Sequence, residues 1–314
     1  VLIPKGRGAL SDTVFELMRT DASSFAPALR TLADHDEDLH ITLWALYELH
    51  YRGFEDVSDD LEWHPELMDL RRSLENTFEQ TLRDRWNEPA PEGDFAEAMF
   101  DAVANHEGPS LAAFIHREAT AEQALELLRM RSIYHLKESD PTTWVIPRLP
   151  NTTKAALMEL QFDEYGCGDP NRLHAGLFAR GMNRSGLRSE YGAYIDDVPL
   201  EVLEQNNAMS LFGLHRRLRG AALGHLAAFE ITSSIPSRKM AQGLSRLGLP
   251  AEMVGYYEEH VEADAVHEQL AVRTICGSLV EEEPGLRDDI FFGVFSCLDL
   301  EDRFAHRLLA EWAA

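Results

Sequence analysis

Ala251-Glu-Met-Val-Gly-Tyr-Tyr-Glu-Glu-His260-Val-Glu-Ala-Asp264-Ala-Val-His267-Glu-Gln-Leu-Ala-Val-Arg-Thr-Ile-Cys-Gly-Ser-Leu279 is a long stretch of helical periodicity with two histidines and an aspartate on one face. At roughly 100° per residue, Asp264 lies about 40° round from His260 and His267 about 20° the other way, so the three side chains leave the helix in one stripe. Two imidazoles and a carboxylate on one stripe suit a first-row transition metal, iron in particular where positions stay open for dioxygen. The spacing also fits an ordinary polar face on which two histidines happen to fall, since Glu258, Glu259, Glu262 and Glu268 lie beside them. The triplet alone leaves both readings open.

The same periodicity extends outward through the chain. Leu39, Leu43, Leu46, Tyr47 and Tyr51 recur at three- and four-residue spacing, which places them on one helix face. Similar stripes run over 67–82, 95–103, 119–136, 153–165, 200–214, 223–229 and 286–312, while alternating strand patterns are nearly absent. Breakers fall between them: Asn87 to Pro91, Ser139-Asp140-Pro141, Gly166-Cys167-Gly168-Asp169-Pro170, and Ser233 to Pro236. The pattern predicts an all-α bundle. A softer division at 87–108 separates an N-terminal helical extension, residues 1–108, from a core of residues 109–314, a usual domain size. An extension of that length is compatible with a homodimer.

Composition narrows the function classes. The 314 residues carry 29 Lys plus Arg against 54 Asp plus Glu, a net charge of −25. This argues against nucleic acid or an anionic membrane as partner, because both are bound through concentrated positive charge. Cys167, Cys276 and Cys297 are odd in number and widely spaced, which suits neither a disulfide framework nor a Cys-rich zinc site and fits a reducing cytoplasm. The short apolar start Val1-Leu-Ile-Pro4 is no signal peptide, and no stretch approaches the length of a membrane span, so a soluble protein is expected.

Two further segments carry chemistry. In Glu159-Leu-Gln-Phe-Asp163-Glu164-Tyr165-Gly-Cys-Gly-Asp169-Pro170-Asn-Arg-Leu-His174, Asp169 and Pro170 read as the N-cap and first position of a restarted helix. A bend there lets Glu164 and His174 point into one cavity, where a straight helix would set them about 80° and 15 Å apart. A simple corner with a surface histidine is the plainer alternative. In Tyr134-His135-Leu-Lys-Glu138-Ser-Asp-Pro141, Glu138 stands in the last turn of its helix, where the dipole opposes a carboxylate. His135, three residues earlier, competes for the same role, and solvated helix-end residues are the bland explanation.

In order, spacing and helical context, these pieces resemble the haem-oxygenase-like di-iron oxidases and oxygenases, the iron-containing redox enzymes, over about residue 110 to the end. The resemblance implies a haem-oxygenase-like bundle in which Glu138, Glu164, His174, His260, Asp264 and His267 bind two irons, a carboxylate bridging them. None of the six positions departs from the family pattern. It further implies a non-haem di-iron oxygenase that captures O2 as a bridging peroxo species. The substrate would be a small amine or amino-acid-like metabolite of natural-product biosynthesis, and the electrons would come from an external donor such as a reductase partner. The full set of three carboxylates and three histidines is most similar to the N-oxygenating branch; cleavage or desaturation of an aliphatic amino or fatty acid is the alternative within the family. Outside it stand a non-enzymatic ligand-binding or scaffold bundle and a haem-degrading enzyme, the latter disfavoured because a carboxylate-rich cavity repels haem propionates. Gly224 to Ser233 also resembles the family, and its expected role is packing or pocket lining.

Other candidates read as structural. A ferritin-like centre needs two Glu-x-x-His motifs, and only Glu37-Asp-Leu-His40 has that form, so Glu37 and His40 are expected to mark a helix start. Glu48 and His50, two residues apart, face different directions. His215-Arg216-Arg217-Leu-Arg219 is expected to be solvated or ion-paired. Asp299, Asp302 and His306 have the spacing to support a metal-bound histidine. No nucleophile elbow, P-loop or dinucleotide fingerprint is present.

Overall fold

The computed structural model describes residues 1–86 and 88–313; the side chains of residues 262–266 lie outside the described set. The described residues form α1 (Ala9–Arg19), α2 (Ala26–Leu29), α3 (Asp36–Glu48), α4 (Pro65–Arg85), α5 (Phe95–Ala104), α6 (Leu111–Arg117), α7 (Ala121–His135), α8 (Asp140–Thr143), α9 (Asn151–Glu164), α10 (His174–Arg184), α11 (Leu200–Leu214), α12 (Arg219–Arg246), α13 (Ala251–Gln269), α14 (Gly277–Glu282) and α15 (Arg287–Ala313). There is no strand among them, so the architecture is all-α as the periodicity predicts. No helix is long and apolar enough to cross a membrane among the described residues.

Helix α12 is the centre of the bundle and packs against α6, α13 and α15. Two glycines let it approach α15 to backbone contact. A Cβ on Gly224 would sit 1.9 Å from the Ile290 carbonyl oxygen, and one on Gly293 would sit 2.0 Å from that of Ala221. Any side chain at either position would force the helices apart and move everything α12 carries.

The structure corrects the expected break at Ser233–Pro236, because α12 continues through Pro236 to Arg246. Proline inside a helix loses a hydrogen bond and costs about 3 kcal/mol, yet tertiary contacts hold the second half in place. Met240, Ala241 and Leu244 are buried there, and the Arg246 guanidinium donates to the carbonyls of Ile115, His116 and Ala119. The Thr232 hydroxyl donates back to the Ala228 carbonyl at 2.8 Å, one turn before the proline.

A second correction concerns Asp169-Pro170. Asp169 caps a local turn, accepting from the Asn171 N–H at 2.9 Å, and α10 begins only at His174. The preceding Gly166, Cys167 and Gly168 all have left-handed backbone, with φ of 73°, 56° and 83°. At Gly166 a Cβ would lie 2.6 Å from the backbone of Arg172 and of Leu173, so the chain folds back on itself there as only glycine allows.

Residues before 108 share one buried cluster with the rest of the chain. The tie nearest the site is Glu48 on α3, fully buried, which accepts from Lys137 Nζ at 3.2 Å and from the Tyr191 hydroxyl at 2.7 Å.

Candidate metal centre

Five of the six sequence-predicted residues come together. Glu164 ends α9 and His174 opens α10, and the left-handed turn between them sets His174 Nδ1 2.9 Å from Glu164 Oε2. His260 and His267 project from α13, as their seven-residue spacing requires. Glu138 lies just past α7 rather than in its last turn, because the helix ends at His135, and its Oε1 lies 4.0 Å from His260 Nε2. The sixth, Asp264, lies outside the described residues.

A residue outside the six joins them. Glu230, expected to pack or line a pocket, places Oε2 3.7 Å from His267 Nδ1, while Glu164 Oε1 lies 3.6 Å from the same nitrogen. Two compact groups result, Glu138–His174–His260 and Glu164–Glu230–His267, each with its ligand atoms within 4.8 Å of one another and every member buried. Glu164 faces a histidine of each group, His174 at 2.9 Å and His267 at 3.6 Å.

Supporting contacts aim these side chains. His260 Nδ1 donates to the Tyr256 carbonyl at 2.7 Å, leaving Nε2 for the centre. His267 Nε2 faces Asp163 Oδ2 at 3.3 Å, so Nδ1 faces the two glutamates. The Tyr256 hydroxyl and His135 Nδ1 both lie about 3 Å from Glu138 Oε2, at 3.0 Å each. His135 thus supports Glu138 instead of competing with it. Glu138 Oε1 is buried without a hydrogen-bond partner among the described residues.

The electrostatics follow from burying three carboxylates together. Burial pushes Glu138 up to about 7 and raises Glu230, while in Glu164 the same penalty is outweighed by the hydrogen bond and charge of His174. Burial also opposes charge on His267, but Glu230, Glu164 and Asp163 overcome it and raise the imidazole to about 9. Protons shared among buried acids and imidazoles occupy the places that metal ions take when such ligands deprotonate. The oxygen and nitrogen donors, the orphaned Glu138 oxygen and the pairing of Glu138, Glu164 and Glu230 with histidines alone, with no Lys or Arg ion pair among the described residues, all fit first-row metal ions.

Beside this centre lies a cavity of about 300 Å³ bordered by Glu138, His260, Tyr256, Phe229, His225 and Arg131. The residues set aside in the sequence are elsewhere. His40 accepts from Asn207 Nδ2 at 3.1 Å against Phe78, His50 faces Glu62, and His215, Arg217 and Arg219 pair with Glu75, Glu79 and Glu283. Asp299 faces Arg85 and Asp302 bonds His106. Neither supports a histidine of the centre, because Asp299 faces the end of α4 and Asp302 the loop after α5.

Comparison with known proteins gives this arrangement a family. A family model described as iron-containing redox enzyme matches residues 125–302, which include every residue of both groups. The chain belongs to the iron-containing redox enzymes. No curated protein matches it. Two crystal structures of a CADD-like protein of unknown function from Nostoc punctiforme are similar to this iron-containing redox enzyme. One is 15% identical, covers 76% of this chain and 97% of its own, and has a TM-score of 0.51; the other is 14% identical, covers 76% and 95%, and has a TM-score of 0.49. The first shares the fold.

Proposed function

We propose that this protein is a non-haem di-iron oxygenase that uses O2 to oxidise the nitrogen of a small amine. The observation that supports it is the pair of buried triads, Glu138–His174–His260 and Glu164–Glu230–His267, with no Lys or Arg against any of the three carboxylates among the described residues. These residues would hold the two irons, with Glu164 between them. Bound iron supplies the one-electron steps that O2 requires, with electrons from an external donor.

The chain's own contribution is positioning and exclusion of water. Tyr256 and His135 hold Glu138 through one oxygen and leave the other free. Asp163 fixes the His267 ring, and Ser139 donates to Glu164 Oε2 at 3.1 Å. The cavity brings a substrate to Glu138 and His260 between aromatic walls, which limits side reactions with solvent.

The test is 18O2 incorporation by the Fe(II)-loaded, reduced protein supplied with a panel of amines. Label in an N-oxygenated product that is lost in His267→Ala supports the reading. Loss of carbon fragments or formation of an alkene from an aliphatic acid would move the protein to the cleaving or desaturating alternative. Oxygen uptake no faster than that of free iron would favour a non-enzymatic bundle.

A further inference from the structure

The cavity beside the centre has a charge pattern that selects among small molecules. Arg131 is the one Lys or Arg on its described wall, and its charge is paired with Glu301, Nη1 donating at 2.9 Å and Nη2 also donating to the carboxylate. Glu301 in turn accepts from Gln205 Nε2 at 2.9 Å. The second basic group, His106, is held by Asp302 at 2.7 Å. Arg131 and His106 therefore each have their own acid, and no Lys or Arg on the described wall is left unpaired to receive a ligand carboxylate or phosphate. Glu138, by contrast, faces the cavity with no Lys or Arg against it among the described residues, only His135 and the histidines of the centre.

The rest of the wall is aromatic and sulfur-rich: Tyr134, Phe229, Tyr257, Met209 and Met240. Aromatic faces favour cations and apolar bodies and offer nothing to an anion. One imidazole on the wall is unspent. His225, on α12, borders both this cavity and a smaller one beside Glu138; its ring meets the Phe212 ring edge at 6.2 Å, and its nitrogens make no hydrogen bond to a described residue. Burial holds it neutral, so it offers one acceptor nitrogen and one N–H.

The geometry points to a substrate that is an amine with an apolar, preferably aromatic, body and no carboxylate, with His225 accepting a hydrogen bond from its nitrogen. This rests on the amine reading above and narrows it, setting free amino acids and fatty acids aside. His225 is a specificity residue here: it touches the substrate and not the metal ligands.

Three probes of one skeleton test it: 2-phenylethylamine, phenylalanine and 3-phenylpropanoate, titrated calorimetrically and anaerobically into the Fe(II)-loaded protein and into the metal-free protein. The expected result is saturable binding of 2-phenylethylamine at least tenfold tighter than either carboxylate. His225→Leu should weaken it at least tenfold, and His225→Gln, which keeps an acceptor, should recover part of the loss. Equal or tighter binding of phenylalanine or 3-phenylpropanoate overturns the inference, as does binding of none of the three or indifference to His225→Leu in a variant that melts like the parent. Amine preference without Fe(II) uptake would sustain the cavity assignment and remove the metal reading; Fe(II) uptake without amine preference would do the reverse.

Discussion

Lys137 and Glu138 are adjacent in the chain, and they serve two buried carboxylate sites built on opposite terms. Lys137 turns toward α3, where its ammonium lies 3.2 Å from Glu48 and 4.2 Å from the centre of the Tyr51 ring, with Tyr191 completing the hydrogen bonds of the carboxylate. Glu138 turns the other way, to join Glu164 and Glu230 among histidines. The first site carries its own cation. The second gathers three carboxylates and is given no Lys or Arg among the described residues, so its charge is balanced only by protons shared with its histidines, places a metal can take. A fold able to place a lysine beside one buried glutamate and withholding it from three others nearby has a centre shaped for metal cations.

The largest expected effect comes from breaking the self-contained site. Lys137→Met strands Glu48 in the core and should lower urea-unfolding stability by about 3–5 kcal/mol, with much of the loss recovered when Glu48→Gln is added. A loss under about 1 kcal/mol would show that the pair is not structural. The cluster should respond in the opposite sense. Glu138→Gln removes a carboxylate whose charge is penalised by burial, and metal-free protein should unfold no more easily than the parent and by as much as about 1 kcal/mol less easily. The rise in melting temperature that Fe(II) gives the parent should shrink or vanish in this variant.

A smaller, pH-dependent effect separates the cluster histidines from His40, a core histidine beside Asn207. Burial lowers His40 from 6.5 to about 4. Between those values the unfolded chain binds a proton that the folded chain does not, so its stability contribution is complete above pH 6.5 and is lost as pH falls toward 4. His40→Gln should flatten the parent's decline over that window by about one proton in slope, measured by urea unfolding at several pH values. An unchanged slope would mean that His40 is charged in the fold. The smallest effect belongs to the surface: Arg217 is half exposed in its pair with Glu79, and Arg217→Ala should cost less than about 1 kcal/mol and fade with salt.

What the sequence made legible was what is local. Helical periodicity gave nearly all the long helices, and the seven-residue spacing of His260 and His267 needed only the helix repeat. The glycine-rich break allowed Glu164 and His174 to converge without requiring it, and showed neither the left-handed turn that does it nor the late start of α10. The approach of Glu230 to His267 was not legible, because its neighbours in the group lie on α9 and α13, far along the chain, and its own stretch carries no spacing signal. The available hint was one acidic residue in the apolar run from Ala221 to Ile231, where a buried charge must find partners. Pro236 misled for the same reason: local propensity favours a break, and contacts with α6, remote in sequence, outweigh it.

On the proposed reading, the two triads together form one two-metal centre completed by Glu230. The most direct measurement is anaerobic Fe(II) titration of metal-free protein, followed by the bound-metal stoichiometry after desalting, for the parent and for Glu230→Ala. The account predicts two Fe(II) per chain in the parent and at most one in the variant. No saturable uptake by the parent, or two Fe(II) retained with unchanged affinity in Glu230→Ala, would contradict it.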